Sequence, residues 1–459
     1  MRTSAGTAST ALLTDMYELT MIEAALRSGA ATRRSVFEVF TRRMPARRRY
    51  GVVAGTARLL RALESFRFTP AEIDYLAQAK VVGDETLDFL REYRFRGSVL
   101  GYAEGECFFP GSPIVTVQGT FAEAVVLETL VLSILNHDSA VAAAASRMTT
   151  AAHGRPCLEM GARRTHEASA VAAARAAVVG GFAGTSVLEA GRSYGIRTIG
   201  TAAHSFTLVH DDEEAAFAAQ VASLGPGTTL LVDTYDVERG VERAVAAARE
   251  AGGELGAVRL DSGDLVAQAF TVREQLDALG ATSTKITVTS DLDEYAIAAL
   301  NAAPVDSYGV GTKLVTGSGH PTAELVYKLV AREDSRGVMR EVAKASTSKE
   351  SVGGLKMAGR VLDGHAAAEL VVSCETEAAG RAELDRAGAR PLQVELVRDG
   401  GQIVDEHVGD GALERAQERH LASRAELPYP AWRLSEGEPA IPTRHVDVFP
   451  DDDDPAVTI

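Results

Sequence analysis

The spacing of apolar side chains changes character three times along the chain. In LLTDMYELTMIEAALRSG, beginning at Leu12, the positions Met16, Leu19, Ile22 and Leu26 recur as one helix face. Thr14 or Asp15 supplies the cap and Gly29 the stop. An alternating strand over 36–40, a glycine-flanked apolar turn over 51–55, and helical patterns over 56–66 and 70–94 follow. Residues 97–118 are rich in Gly, Pro and β-formers and predict several short strands. Helical spacing returns over 121–135 and runs on through AVAAAASRMTTAA.

From Pro156 onward short β-branched runs alternate with alanine-rich helical ones. CLEMG precedes THEASAVAAARAAVVGG, and IRTIGT, at 196–201, reads as a buried strand ahead of Ala202, Ala203 and His204. LLVDTYD, AVRLDSGD, ITVTSD and DSYGVGTKL each end a strand in polar residues, the first three of them before a further helical stretch. About six or seven such units predict a parallel sheet closed or partly closed into an α/β barrel, with an open doubly wound sheet as the alternative. After about residue 325 the pattern returns to strands and loops, with a polar helix over 411–426. The expected division is an N-terminal α+β domain over 1–135 and a barrel over 136–342. A segment over 343–446 completes the first domain, and 447–459 form an acidic disordered tail.

Bulk properties narrow the partners. Among 459 residues, 63 acidic against 47 basic side chains give a net charge of −16. That opposes nucleic acid and anionic membrane as general partners, while leaving room for a local anion site. Cys107, Cys157 and Cys374 have neither disulfide-framework nor zinc spacing, so buried thiols in a reducing compartment are expected. The first residues lack the apolar stretch of a secretion signal, and the apolar run 124–135 carries Glu128 and is short for a bilayer. A cytoplasmic protein is expected.

Four strand ends concentrate chemistry. Glu159-Met160-Gly161-Ala162-Arg163-Arg164 places two guanidinium groups, suited to two-point binding of phosphate or carboxylate, after a glycine. His204-Ser205 follows two alanines that leave little cover. Arg259 and Asp261 share a strand face, a pairing suited to a ligand with an anionic group and hydroxyls. Ser307 to Thr312, with Gly309 and Gly311, reads as a glycine-rich loop whose N–H groups cradle phosphate, and Ser290-Asp291 is expected to open a helix to the same end. Singly each signal is common. Together, on the C-terminal face of a barrel, they fit a sugar phosphate and a second anion.

TDMYELTM, FEVFTRRMP, RYGVVAG, EMGARR, GTAAHSF, VRLDSGD and YGVGTKL, in that order, resemble the motifs of nicotinate phosphoribosyltransferases, a family of type II phosphoribosyltransferases. The match runs from about Leu12 to about Arg360, with a continuation to Thr443. The resemblance implies an irregular or partly open α/β barrel with a second α+β domain built from the N- and C-terminal segments. It implies an ATP-dependent enzyme of the ligase class, acting in NAD salvage by the Preiss–Handler route. Nicotinate and 5-phosphoribosyl 1-pyrophosphate give nicotinate mononucleotide and pyrophosphate while ATP is hydrolysed, with Mg²⁺ as cofactor. It further implies a homodimer with shared active sites.

By position, the resemblance makes His204 the phosphohistidine and Asp261 a catalytic carboxylate that holds the ribose hydroxyls. Nicotinate falls to Tyr17 of the neighbouring subunit, Met160, Ser186, Thr201 and Arg259. Phosphoribosyl and phosphate groups fall to Arg163, Ser205, Asp261, Gly309, Gly311, Thr312 and Lys349, within a basic stretch that also carries Lys344, Lys356 and Arg360. The basic cluster Arg42 to Arg49, by itself a solvated loop, becomes part of a dimer-borne phosphate surface. No metal ligand is assigned directly. Ser186 stands where nicotinamide-using relatives have aspartate, and so admits a carboxylate. Met160 stands where the family usually has phenylalanine; its sulfur still meets an aromatic face, with looser geometry. A quinolinate enzyme would need no ATP-linked histidine. LLVDTYDV, with Asp233 and Asp236, imitates the acidic pair of another phosphoribosyltransferase type but lacks its adjacent carboxylates and small-residue loop. A catalytically inactive sensor of nicotinate or nucleotide is opposed by the full set of polar site residues.

Overall fold

A computed structural model describes residues 9–343 and 352–448. Lys344, Lys349 and the acidic residues from 449 onward lie outside the described residues. The chain divides into two units, one of Met1–Ala140 with Thr322–Ile459, the other of Val141–Pro321.

In the first unit the strand Arg34–Thr41 is central in a seven-stranded antiparallel sheet, between Val115–Thr120 and Leu325–Glu333. Gln393–Arg398 and Gln402–Ile403, from the C-terminal segment, extend the same sheet beyond Ser98–Tyr102. The sheet hydrogen bonds therefore join the two ends of the chain. They also claim 322–342, which the sequence reading assigns to the barrel: Leu325–Glu333 pairs with Arg34–Thr41 from Leu325 to Arg332. A four-stranded sheet of Leu355–Asp363, His365–Cys374, Arg390–Pro391 and Thr443–Asp447 completes the unit, so Asp447 belongs to a strand rather than to a tail.

The helix Met16–Ser28 ends on Gly29 at φ 76°, the left-handed position glycine fills without strain. Its N-cap is Asp15, whose carboxylate accepts from the Thr129 hydroxyl at 3.1 Å rather than capping the helix. The helical stretch expected over 70–94 is two helices, Pro70–Gln78 and Asp84–Glu92, broken around Lys80 (φ 53°) and Gly83. The helix Glu128–Ala151 is 24 residues long. With Phe121–Val125 before it, the apolar stretch is long enough to cross a membrane, which corrects the length argument from 124–135; most of it is buried within the protein.

Glu38 and Lys356 show how burial overrides a sequence reading. The Lys356 ammonium, expected at a phosphate, donates to the Glu38 carboxylate at 3.0 Å, and both side chains are almost fully buried. Arg360 is likewise enclosed by Glu106, Glu369 and Glu426. Lys356→Ala is expected to lower folding stability by about 3–5 kcal/mol, because Glu38 is left as a buried carboxylate without its counter-charge. A denaturant titration that leaves the variant as stable as wild type would show the pair to be dispensable.

The second unit holds six parallel strands in the order Gly184–Thr185, Cys157–Glu159, Ser307–Val310, Lys285–Ser290, Ala257–Leu260 and Thr229–Leu231. The helices Glu167–Val179, Val237–Glu250, Leu265–Ala278 and Glu294–Leu300 follow their strands as the rhythm predicts. The sheet is a curled half-barrel. The strand expected over 196–201 is a single bridge, Thr198 to Thr185. Ile196 is buried, but Arg197, Thr198 and Gly200 are exposed, so β-branched composition here finds no second neighbour to pair with.

Candidate active site

Parallel strands bring their C-terminal ends to one edge, and the polar residues there come from the strand ends and the loops that follow them. Arg259 is the third residue of Ala257–Leu260, and its side chain is only 11% exposed. Its Nε donates to Thr289 Oγ1 at 3.1 Å, and its Nη1 to the Ala202 carbonyl at 3.1 Å and to Thr201 Oγ1 at 2.5 Å. Nη2 lies 3.7 Å from Asp261 Oδ1. Burial pulls the guanidinium below its ordinary pKa; the Asp261 and Asp233 carboxylates oppose that, and the like charge of Arg163 adds to it. The Thr289 hydroxyl accepts from Arg259 and donates to Asp261, so it links the pair.

Asp233 lies two residues past Thr229–Leu231 with its side chain 1% exposed. Its Oδ2 accepts from the Asp261 amide and the Ser262 hydroxyl, both at 2.9 Å, which holds the turn carrying Asp261. Its Oδ1 is buried without a hydrogen-bond partner among the described residues. His204 opens the short helix His204–Leu208 and is 40% exposed. Its Nδ1 is 3.1 Å from Thr234 Oγ1, while Nε2 faces two carboxylates, Asp261 Oδ2 at 3.9 Å and Asp233 Oδ1 at 4.0 Å. The imidazole is therefore oriented on one side and flanked by negative charge on the other.

Thr201, His204, Arg259 and Asp261 thus form one connected set, with Arg163 near enough to act on Arg259 electrostatically. Met160 follows the strand Cys157–Glu159, and its sulfur occupies space that a Cβ on Gly309 would invade, at 2.7 Å. The Thr289 methyl would meet the same Cβ at 2.4 Å. This corrects the phosphate-loop reading of 307–312. Gly309 is inside the strand Ser307–Val310, and its missing side chain makes room for Met160 and Thr289. Gly311 and Thr312 alone stand past the strand, at the start of Thr312–Val315.

Ser186, Ser205 and Thr312 are exposed. Ser290-Asp291 does not open the next helix; Asp293 caps it, accepting from the Tyr295 and Ala296 amides. Tyr17 lies in the first unit, half-exposed, its phenol pushed up to about 12 by burial and by Glu128, Glu18 and Asp15. Lys349 lies outside the described residues. Within the basic cluster, Arg43 pairs with Glu324, Arg47 with Glu438, and Arg49 donates to Ser435, Glu436 and Glu438. Those guanidinium groups tie loops of their own unit together. The sequence reading passed over Thr234 and Thr289, and discounted Asp233. All three stand at or just past strand ends, the signal that singled out Asp261.

Comparisons with known proteins agree with this architecture. Residues 12–136 match the N-terminal domain of nicotinate phosphoribosyltransferase. The nicotinate phosphoribosyltransferase pncB1 of Mycobacterium tuberculosis is 55% identical over 445 residues, covering 95% of both chains. The Bacillus subtilis nicotinate phosphoribosyltransferase is 38% identical over 350 residues, covering 75% of this chain and 71% of its own. In fold, the chain is similar to crystalline human nicotinic acid phosphoribosyltransferase, with a TM-score of 0.77 at 24% identity over 93% of this chain and 96% of that one.

Proposed function

The chain belongs to the nicotinate phosphoribosyltransferase family, and from that premise we propose how it makes nicotinate mononucleotide. The enzyme acts in NAD biosynthesis. The pyridine nitrogen of nicotinate uses its lone pair to bond C1 of 5-phosphoribosyl 1-pyrophosphate. The bond from that carbon to pyrophosphate breaks, and its electron pair leaves with pyrophosphate. No proton is transferred, so the site needs no general base. It needs to hold two anions close together and to stabilise positive charge building on the ribose carbon. The observation that carries this reading is the linked set Thr201–Arg259–Thr289–Asp261: a buried guanidinium for the nicotinate carboxylate, beside a carboxylate for the ribose.

We further propose that ATP phosphorylates His204. A lone-pair nitrogen of the neutral imidazole bonds the γ-phosphorus, the bond to the bridging oxygen breaks, and ADP leaves with the electron pair. Water later cleaves the phosphorus–nitrogen bond and releases phosphate. Thr234 orients the ring, and Asp233 and Asp261 offset the positive charge the phosphorylated imidazole carries. Among the described residues no group of three or more His, Cys, Asp or Glu side chains is built to hold a metal. A Mg²⁺ ion bound through substrate phosphates requires only one or two protein carboxylates, a role that Asp261 and Asp233 Oδ1, which has no hydrogen-bond partner among the described residues, would fit. Bound there, Mg²⁺ neutralises phosphate charge.

The test is nicotinate mononucleotide formation with and without ATP, with nicotinamide in parallel. No product from nicotinate refutes the reading, and product formed at equal rates with and without ATP refutes the coupling. Ser186 supplies a sharper check. Ser186→Asp is expected to weaken nicotinate use by about tenfold or more, since a like charge opposes the carboxylate, and to admit nicotinamide. Unchanged preference between the two bases in steady-state kinetics would remove Ser186 from the base site.

A further inference from the structure

Glu159 ends the strand Cys157–Glu159, and its side chain is fully buried. A buried carboxylate is costly unless its oxygens are satisfied. Here each oxygen serves a different loop. Oε1 accepts from the Gly161 amide, in the turn that carries Met160 and Arg163. Oε2 accepts from the Thr185 hydroxyl, one residue before Ser186. Thr185 Oγ1 itself accepts from the Val187 amide at 3.0 Å, so its proton is committed to Glu159. The chain of donors runs one way, from Val187 through Thr185 to the carboxylate. Gly161 is also tightly seated: a Cβ there would meet Val315 Cγ1 at 2.3 Å and Gly311 O at 3.0 Å. Burial pushes the carboxyl up, and the hydrogen bonds from Thr185 and Gly161 oppose that rise.

We propose that Glu159 is a positioning residue that sets the spacing between the Met160–Arg163 turn and the Ser186 turn, and through it the choice of pyridine base. The inference rests on the proposed use of nicotinate at this site. Glutamine keeps the shape but presents an N–H₂ group to one of two donors. Either the Gly161 amide or the Thr185 hydroxyl then loses its acceptor. Aspartate is a methylene short and reaches one loop but not both. The backbone bond from the Ser186 amide to the Glu159 carbonyl, at 2.9 Å, survives every substitution. The strand edge is therefore retained while the turns lose their tie.

The experiment compares wild type with Glu159→Gln, Glu159→Asp and Thr185→Val, the last removing the same link from its other end. Each Glu159→Gln or Thr185→Val protein is expected to raise the KM for nicotinate about tenfold, as loss of a charge-assisted buried hydrogen bond does. The KM for 5-phosphoribosyl 1-pyrophosphate should not rise with it, and the preference for nicotinate over nicotinamide should fall. Glu159→Asp is expected to recover part of the loss. The double variant Glu159→Gln/Thr185→Val should cost little more than either single change, because both break one link. Amide hydrogen exchange at Gly161 and Val187, read without substrate, should quicken in Glu159→Gln. Unchanged exchange there, or equal rises in both KM values, overturns the proposal. A wild-type enzyme that ignores nicotinate overturns the functional reading instead, and the exchange measurement then decides the role of Glu159 alone.

Discussion

A His204→Ala protein is expected to take up no acid-labile phosphoryl group from labelled ATP, and to make nicotinate mononucleotide at one slow rate whether ATP is present or not. The imidazole is the group in the connected set with a lone-pair nitrogen and an exposed face, and it is held between the Thr234 hydroxyl and two carboxylates. Coupling between two bound states is typically about 1–3 kcal/mol, or about 5- to 150-fold in affinity, and that is the substrate-binding advantage the variant should lose. Stability should hardly move, because His204 starts a short helix and is 40% exposed. Thr234→Val should reduce labelling without abolishing it, since it frees the ring but leaves the nucleophile. Labelled His204→Ala protein, or stimulation by ATP that survives in it, would place the phosphoryl group elsewhere.

Arg259→Ala carries the other large effect. The guanidinium joins Thr289, Thr201 and the Ala202 carbonyl and sits beside Asp261, so its removal takes away the carboxylate anchor and leaves buried acceptors unpaired. Truncating one side of a buried hydrogen-bonded charge pair costs about 2–5 kcal/mol, which in KM for nicotinate is between about 30-fold and about 5,000-fold. Arg259→Lys keeps a charge but not the planar fork, and gives an intermediate loss. It also introduces a pH signature. A lysine ammonium in this position has its pKa lowered by burial, so it loses charge as pH rises through that value, and nicotinate affinity should fall with it. The wild-type arginine stays charged and shows no such step. An unchanged KM for nicotinate in Arg259→Ala would refute the assignment.

That Thr201, His204, Arg259 and Asp261 meet was largely legible in the sequence. Arg259 lies in a strand and Asp261 just past its end, and in a parallel sheet such ends must converge on one edge, whereas the run before His204 forms only one bridge. What went unread depends on partners distant in the chain. Asp233 looked like a poor copy of another motif, because its task is to hold the Asp261 amide, 28 residues away. Gly309 looked like part of a phosphate loop, because the Met160 thioether and Thr289 methyl it accommodates lie far from it along the chain. Lys356 looked like a ligand for phosphate until Glu38, from the opposite end of the chain, proved to neutralise it.

Local spacing along the sequence was sufficient to determine the alternation of strand and helix from Thr229 to Val310, the terminal ends of several helices, and the grouping of polar residues after strands, because each follows from side chains a few positions apart. Tertiary structure alone decided that 196–201 contributes one bridge rather than a strand, that 322–342 joins the N-terminal sheet, and that Glu159 ties two turns together. Those outcomes depend on whether a hydrogen-bonding neighbour is present across space, and composition carries no record of that.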